Sequence, residues 1–117
     1  MKRLTRGELE VMGVLWEHGE AKPAEILERF PRPIKNSALR SYLSILLEKG
    51  HVTRRKVGKA YYYKARTRRQ RALRSMLREM AETFCEGSTK ALLAHLMRSE
   101  RLSDEELLEL RRIAEGE

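Results

Sequence analysis

One short stretch limits what the chain can fold into. His51-Val52-Thr53-Arg54-Arg55-Lys56 and Ala60-Tyr61-Tyr62-Tyr63-Lys64 are rich in β-branched and aromatic residues, and Val57-Gly58-Lys59 lies between them. That pattern predicts a β-hairpin that turns at the glycine. Elsewhere the apolar residues recur at helical spacing. The hairpin therefore sits inside an otherwise helical chain, and the helices around it define the fold.

Three helices precede it. In Leu4-Thr5-Arg6-Gly7-Glu8-Leu9, Thr5 is placed to cap, Glu8 to reach back to it, and Leu4 to staple onto Leu9. Leu9, Met12 and Trp16 form the apolar stripe of this helix, with Trp16 in the core, and His18-Gly19 ends it. Lys22-Pro23 opens a second, short helix with Ile26, Leu27 and Phe30 on its apolar side; Pro31 and Pro33 stop it. A third runs from about Asn36 to Lys49 and ends at Gly50, with Leu39, Leu43, Leu46 and Leu47 facing inward. After the hairpin a fourth helix is expected from Thr67, with Thr67 and Gln70 as a capping pair. Its stripe is Leu73, Met76, Leu77, Met80 and Phe84, and Gly87 closes it. Ser88 caps a fifth helix carrying Leu92, Leu93, Leu96 and Met97. Leu102-Ser103-Asp104-Glu105-Glu106-Leu107 repeats the staple and box for a sixth, with Leu107, Leu110 and Ile113.

Three helices followed by a two-stranded hairpin is the winged variant of the helix-turn-helix. The expected fold is α+β and mostly helical: a winged-helix DNA-binding domain over residues 1–66 and a helical dimerisation region over 67–117. Among the hairpin tyrosines, strand alternation turns at least one inward, and Tyr62 is the expected core residue. Exposed tyrosines are also able to stack on single-stranded bases.

Charge separates the two parts. Residues 1–74 hold 19 Lys/Arg and 7 Asp/Glu, whereas residues 75–117 hold 6 and 10. The first part attracts polyanions and the second does not. On the third helix Ser37, Arg40, Ser41 and Ser44 share the polar face, and Lys35 and Asn36 stand at its start. Short side chains around one arginine suit a major groove, where Arg40 can donate two hydrogen bonds to a guanine edge. At the hairpin Arg54, Arg55, Lys56 and Lys59 crowd around Gly58 with no anion among them. Such a tip is placed to hold phosphate or to enter a minor groove. Lys64, Arg66, Arg68, Arg69, Arg71 and Arg74 follow at the start of the fourth helix, where the helix dipole disfavours cations and a phosphate backbone compensates.

The last ~50 residues bury too little to stand alone. The stripes formed by Leu73, Met76, Leu77, Met80, Phe84, Leu92, Leu93, Leu96, Leu107, Leu110 and Ile113 therefore need a partner, and a second copy of the chain is the simplest. Catalysis is not indicated. His18, His51 and His95 are scattered without metal-ligand spacing, no glycine loop cradles a phosphate, and Cys85 is the single cysteine. No catalytic residue, metal site or cofactor is expected. No signal-peptide pattern or run of ~18 apolar residues occurs, so the cytoplasm is the expected compartment and no membrane is a partner.

Leu4-Thr5, Glu8, Glu10-Val11-Met12, Leu15-Trp16, Glu48-Lys49-Gly50, Gly58-Lys59, Tyr62-Tyr63, Gly87 and the segment Leu102-Ser103 to Glu106-Leu107 together resemble the penicillinase-repressor family (BlaI/MecI/CopY). The resemblance implies a homodimer that binds a palindromic double-stranded DNA operator and represses transcription, its C-terminal helices intertwined with the partner's. Where lactam-responsive members carry recognition-helix threonines, this chain has Ala38 and Ser41. Where they carry a scissile Asn-Phe bond, it has His95-Leu96. The paired Cys-x-Cys motifs of copper-responsive members are absent. A winged-helix module for RNA or protein interaction, or a metal-responsive regulator of the same fold, is the alternative reading.

Overall fold

The computed structural model describes residues 1–116. Its elements run α1 (Arg6–His18), α2 (Pro23–Arg29), α3 (Asn36–Lys49), β1 (Val52–Val57), β2 (Ala60–Ala65), α4 (Arg69–Phe84), α5 (Thr89–Glu100) and α6 (Asp104–Ala114). This is the mostly helical winged-helix architecture expected from the hairpin and its flanking helices. The chain divides into two compact units, Met1–Leu73 and a second beginning at Arg74. Among the described residues no helix is long and apolar enough to cross a membrane.

In the first unit, α1 starts where Glu8 reaches back to its cap. The Thr5 hydroxyl donates to Glu8 Oε2 at 2.6 Å, and the Thr5 backbone N–H approaches Oε1 at 3.5 Å. Val11, Met12 and Leu15 then lie buried on one side of α1. α2 has its proline in the first turn and buries Ile26 completely. α3 buries Leu39, Leu43 and Leu46, and Gly50, at φ 79°, adopts the left-handed conformation that ends it. These side chains, with Val52 and Tyr63 from the hairpin, make one core.

The strands pair antiparallel from Val52↔Ala65 to Val57↔Ala60, leaving Gly58-Lys59 as a two-residue turn with Gly58 at φ 63°. Ala21, between α1 and α2, extends the ladder by one bridge: it donates to Tyr63 O at 3.0 Å and accepts from Tyr63 N–H at 2.8 Å. That bridge corrects the expectation for the tyrosines. Tyr63 is the core residue, Tyr62 is half-buried and Tyr61 is exposed. Alternation alone divides the three into two sets; the contact with Ala21, 42 positions away in the chain, selects the inward one.

A second correction concerns Thr67. It does not start α4 with Gln70, for the helix begins at Arg69. The Thr67 hydroxyl instead pairs with Nδ1 of the buried His51 at 2.8 Å, its N–H donates to His51 O at 3.1 Å, and its carbonyl accepts from Trp16 Nε1 at 2.9 Å. Nε2 of His51 lies 2.7 Å from Lys2 O, and since a carbonyl only accepts, that nitrogen carries the proton. His51 thus ties the irregular N-terminal segment, the start of the hairpin and the approach to α4 together. Trp16 packs against the core rather than being fully inside it, because its indole N–H has this partner to satisfy.

Glu8 is buried to 3% exposure and ion-paired with Lys49, whose Nζ also donates to Arg3 O at 2.8 Å. The pair joins the start of α1 to the end of α3. Burial pushes the Glu8 carboxyl up, but the hydrogen bonds from Lys49 and Thr5 outweigh it, and the net shift is below the ordinary 4.5. The unfolded chain therefore binds the proton more readily. Stability from this pair is fully present above pH 4.5 and is lost as pH falls through the folded-state value. Lys49→Met, which strands the carboxylate, should cost about 1–3 kcal/mol at neutral pH and flatten this acid limb. Denaturant unfolding from pH 3 to 7 measures both effects; an unchanged midpoint contradicts the assignment.

The second unit is differently packed. Ser88 Oγ accepts from Ala91 N–H at 3.0 Å to start α5, and Ser103 and Glu106 form a reciprocal box at α6, with bonds of 3.2 and 3.1 Å. Ala81 of α4 is buried, but neither α5 nor α6 contains a buried residue. Leu77, Met80, Phe84, Leu93, Leu96, Leu110 and Ile113 are exposed, Phe84 to 76%, while Met76, Leu92 and Leu107 are half-buried. Leu73, at the end of the first unit, is 53% exposed. The caps show why these helices form; their apolar faces are left uncovered within one chain.

Candidate nucleic-acid interface

The core side of α3 fixes what its other side presents. With Leu39, Leu43 and Leu46 buried, Ser37, Arg40, Ser41 and Ser44 fall on one exposed face at i, i+3, i+4 and i+7. Lys35, the residue before the helix, and Asn36, its first, are exposed beside them. Among the described residues Arg40 has no ion pair or side-chain hydrogen bond, so its five donors are unspent.

Two contacts that sequence pattern did not reveal hold α3 against α1. Arg32, in the turn before α3, donates from Nε and Nη2 to the Glu10 carboxylate at 3.0–3.2 Å and lies 5.6 Å over the Phe30 ring. Hydrogen bonding to Glu10 and then to Tyr42 pushes the Arg32 guanidinium up, and the same Arg32 bond holds the Glu10 carboxyl below its usual range. Near the start of α1, Tyr42 covers Gly7 so closely that a Cβ there would lie 2.3 Å from Tyr42 Cζ. No local signal marks these partners, because Arg32 and Glu10 stand 22 positions apart.

The hairpin places its cations on two faces. Arg54 lies 4.2 Å over the Tyr61 ring and donates from Nη1 to the Tyr63 hydroxyl at 3.1 Å, so a guanidinium at the strand centre is held by two tyrosines. The Tyr63 bond is the main reason the Arg54 guanidinium is pushed up. Lys56 Nζ is 5.7 Å from Tyr61. Arg55 points to the opposite face, over Tyr62, and donates to Glu20 at 2.9 Å from Nε and 2.7 Å from Nη2. Lys59 is exposed in the turn. Lys64, near the end of β2, and Arg66, Arg68 and Arg71 beyond the hairpin are exposed, and Arg69 lies 5.7 Å over the Trp16 ring.

A helix with an uncommitted arginine among serines, carried beside a basic two-stranded wing, is the arrangement a protein uses to read duplex DNA. The family model of the penicillinase repressor matches residues 4–116. The chain belongs to that family. It is a family of transcriptional repressors and not of enzymes, which makes this chain a transcriptional regulator with a DNA-binding winged helix. The penicillinase repressor of Bacillus licheniformis is 24% identical over 97% of this chain and 90% of its own length. An uncharacterised 16.5 kDa protein of Latilactobacillus sakei is 23% identical over 94% of this chain and 77% of its own. Among solved structures, the DNA-binding domain of the repressor BlaI superposes with a TM-score of 0.54 at 24% identity, over 61% of this chain and 93% of that domain. The YusO protein of Bacillus subtilis gives 0.55 at 24% identity, over 97% of this chain and 73% of that one. At these identities the superpositions establish the winged-helix fold.

Proposed function

We propose that two copies of the chain, joined through α4, α5 and α6, occupy a palindromic operator in cytoplasmic DNA and repress transcription by that occupancy. The observation that carries the reading is the exposed face of α3, where Arg40 stands without a protein partner. In each half-site, Arg40 reads a base edge in the major groove while Lys35, Asn36, Ser37, Ser41 and Ser44 contact neighbouring bases and phosphates. Arg54, Lys56 and Lys59 follow the flanking backbone, with Arg55 beside them in its pair with Glu20. The uncovered faces of Leu73, Met76, Leu77, Met80 and Phe84 on α4, Leu92, Leu93 and Leu96 on α5, and Leu107, Leu110 and Ile113 on α6 support the dimer. Two-fold symmetry then makes the preferred site an inverted repeat.

Base and phosphate contacts separate by mutation. Arg40→Ala should weaken operator binding by about 1–3 kcal/mol and leave random duplex nearly untouched. Lys59→Ala should weaken both and flatten the dependence of log affinity on log salt by about 0.9. Titrations on operator and random duplexes at several salt concentrations measure these effects. Equal loss on both duplexes for Arg40→Ala contradicts the base contact. If excess random DNA or RNA competes as well as any duplex sequence, the chain is a general binding module instead of a regulator.

A further inference from the structure

The Arg55–Glu20 pair lies on the face of the wing that the core does not use. Nε and Nη2 of Arg55 meet the two carboxylate oxygens of Glu20 at 2.9 and 2.7 Å. This side-on, two-bond fork is also the geometry in which a guanidinium grips a phosphate. The Glu20 backbone is fixed from the next residue, since Ala21 is bonded in both directions to Tyr63 on the edge of β2. The pair bridges from the Ala21 edge of β2 to Arg55 on β1, with Lys64 adding its positive charge nearby. Glu20, Thr53, Arg54, Arg55 and Lys64 line a shallow cup of about 370 Å³ around the pair. The Arg55 side chain is 64% exposed and that of Glu20 28%, so the guanidinium is within reach of an incoming anion while the carboxylate sits partly shielded behind it.

Resting on the DNA-binding reading, we propose that Glu20 sets the affinity of the wing by occupying the phosphate seat of Arg55. The carboxylate is an internal stand-in for a backbone phosphate. While it is in place, the Arg55 fork adds no phosphate contact and the wing carries one less effective positive charge. Exposed pairs of this kind are marginal in water, so neutralising Glu20 is enough to release the arginine. A released arginine adds a contact common to all sequences, because phosphates carry no base information.

The test uses the full-length chain and a random-sequence DNA duplex, titrated at several monovalent salt concentrations. The proteins are the parent, Glu20→Gln, Glu20→Ala, Arg55→Ala and Glu20→Gln combined with Arg55→Ala. Thermal unfolding of each establishes that the fold is kept, and Glu20→Ala removes any amide that could itself bond Arg55. Both Glu20 variants should bind about five- to tenfold tighter near 0.1 M salt, with a salt slope steeper by about 0.9. Arg55→Ala should bind more weakly than the parent, because it leaves the Glu20 charge unopposed, and the double variant should return to the parent's affinity without exceeding it. A Glu20 variant that binds no tighter, or more weakly, overturns the proposal, since Glu20 then aims Arg55 or Arg55 faces away from DNA. A gain over the parent that survives in the double variant also overturns it, because the effect then bypasses Arg55. Failure of the parent itself to bind any duplex refutes the DNA-binding reading, a result distinct from both.

Discussion

Leu93→Glu combined with Ile113→Glu should convert the full-length chain from dimer to monomer at micromolar concentration and lower its operator affinity by at least about a hundredfold. In a single chain both side chains already lie in water, 56% and 61% exposed, so the charges cost little folding energy. In the proposed dimer they would sit in an apolar seam, where an unpaired carboxylate is expensive. The affinity falls because the second half-site contact is intramolecular only while the two copies are joined; losing that linkage removes a factor of about 10²–10⁴. Sedimentation should show the mass falling from twice 13.7 kDa to 13.7 kDa. Circular dichroism should stay helical, and affinity for a single half-site should be unchanged. A variant that remains dimeric would remove these faces of α5 and α6 from the interface.

Leu43→Ala should cost about 2–5 kcal/mol of folding stability, enough to leave a substantial fraction of a small winged helix unfolded at physiological temperature. Leu43 is 1% exposed on the inner face of α3, between the fully buried Leu39 and Leu46. Removing it leaves a cavity among side chains from α1, α2 and the hairpin, which relax only in part. Arg40 is one turn away on the outer face of the same helix, and its replacement should leave the unfolding midpoint within about 0.5 kcal/mol of the parent. The two substitutions lie three positions apart and both lower operator occupancy, one by loss of fold and the other by loss of a base contact. Chemical denaturation separates them. A Leu43→Ala protein as stable as the parent would mean that α3 is not anchored as described.

Local chemistry made most of the architecture legible. Helix starts followed from Thr5 with Glu8 and Ser103 with Glu106, the end of α3 from Gly50, and the wing from β-forming runs either side of Gly58; each signal lies within a few residues of what it controls. The corrections arise where a distant partner decides. Thr67 has the residue type of a cap, yet its hydroxyl is taken by His51, 16 positions back and brought close by the hairpin. Tyr62 and Tyr63 are equivalent to a pattern of period two until Ala21 pairs with Tyr63. At the candidate site, the polar stripe of α3 was readable because helical periodicity sorts inward from outward residues. The commitments of the wing cations were not. A run of unopposed positive charge says nothing of Glu20, which stands 35 positions before Arg55, or of the tyrosine rings that hold Arg54.

Selection of tight-binding duplexes from a random-sequence library, with the full-length chain at moderate salt and excess competitor DNA, tests the central claim most directly. A homodimeric reader of two half-sites should enrich an inverted repeat whose half-site centres lie about 10 base pairs, or a multiple of that, apart. Arg40→Ala should then relax the preference at one position in each half. Enrichment of an asymmetric single site, or of no sequence at all, would contradict it.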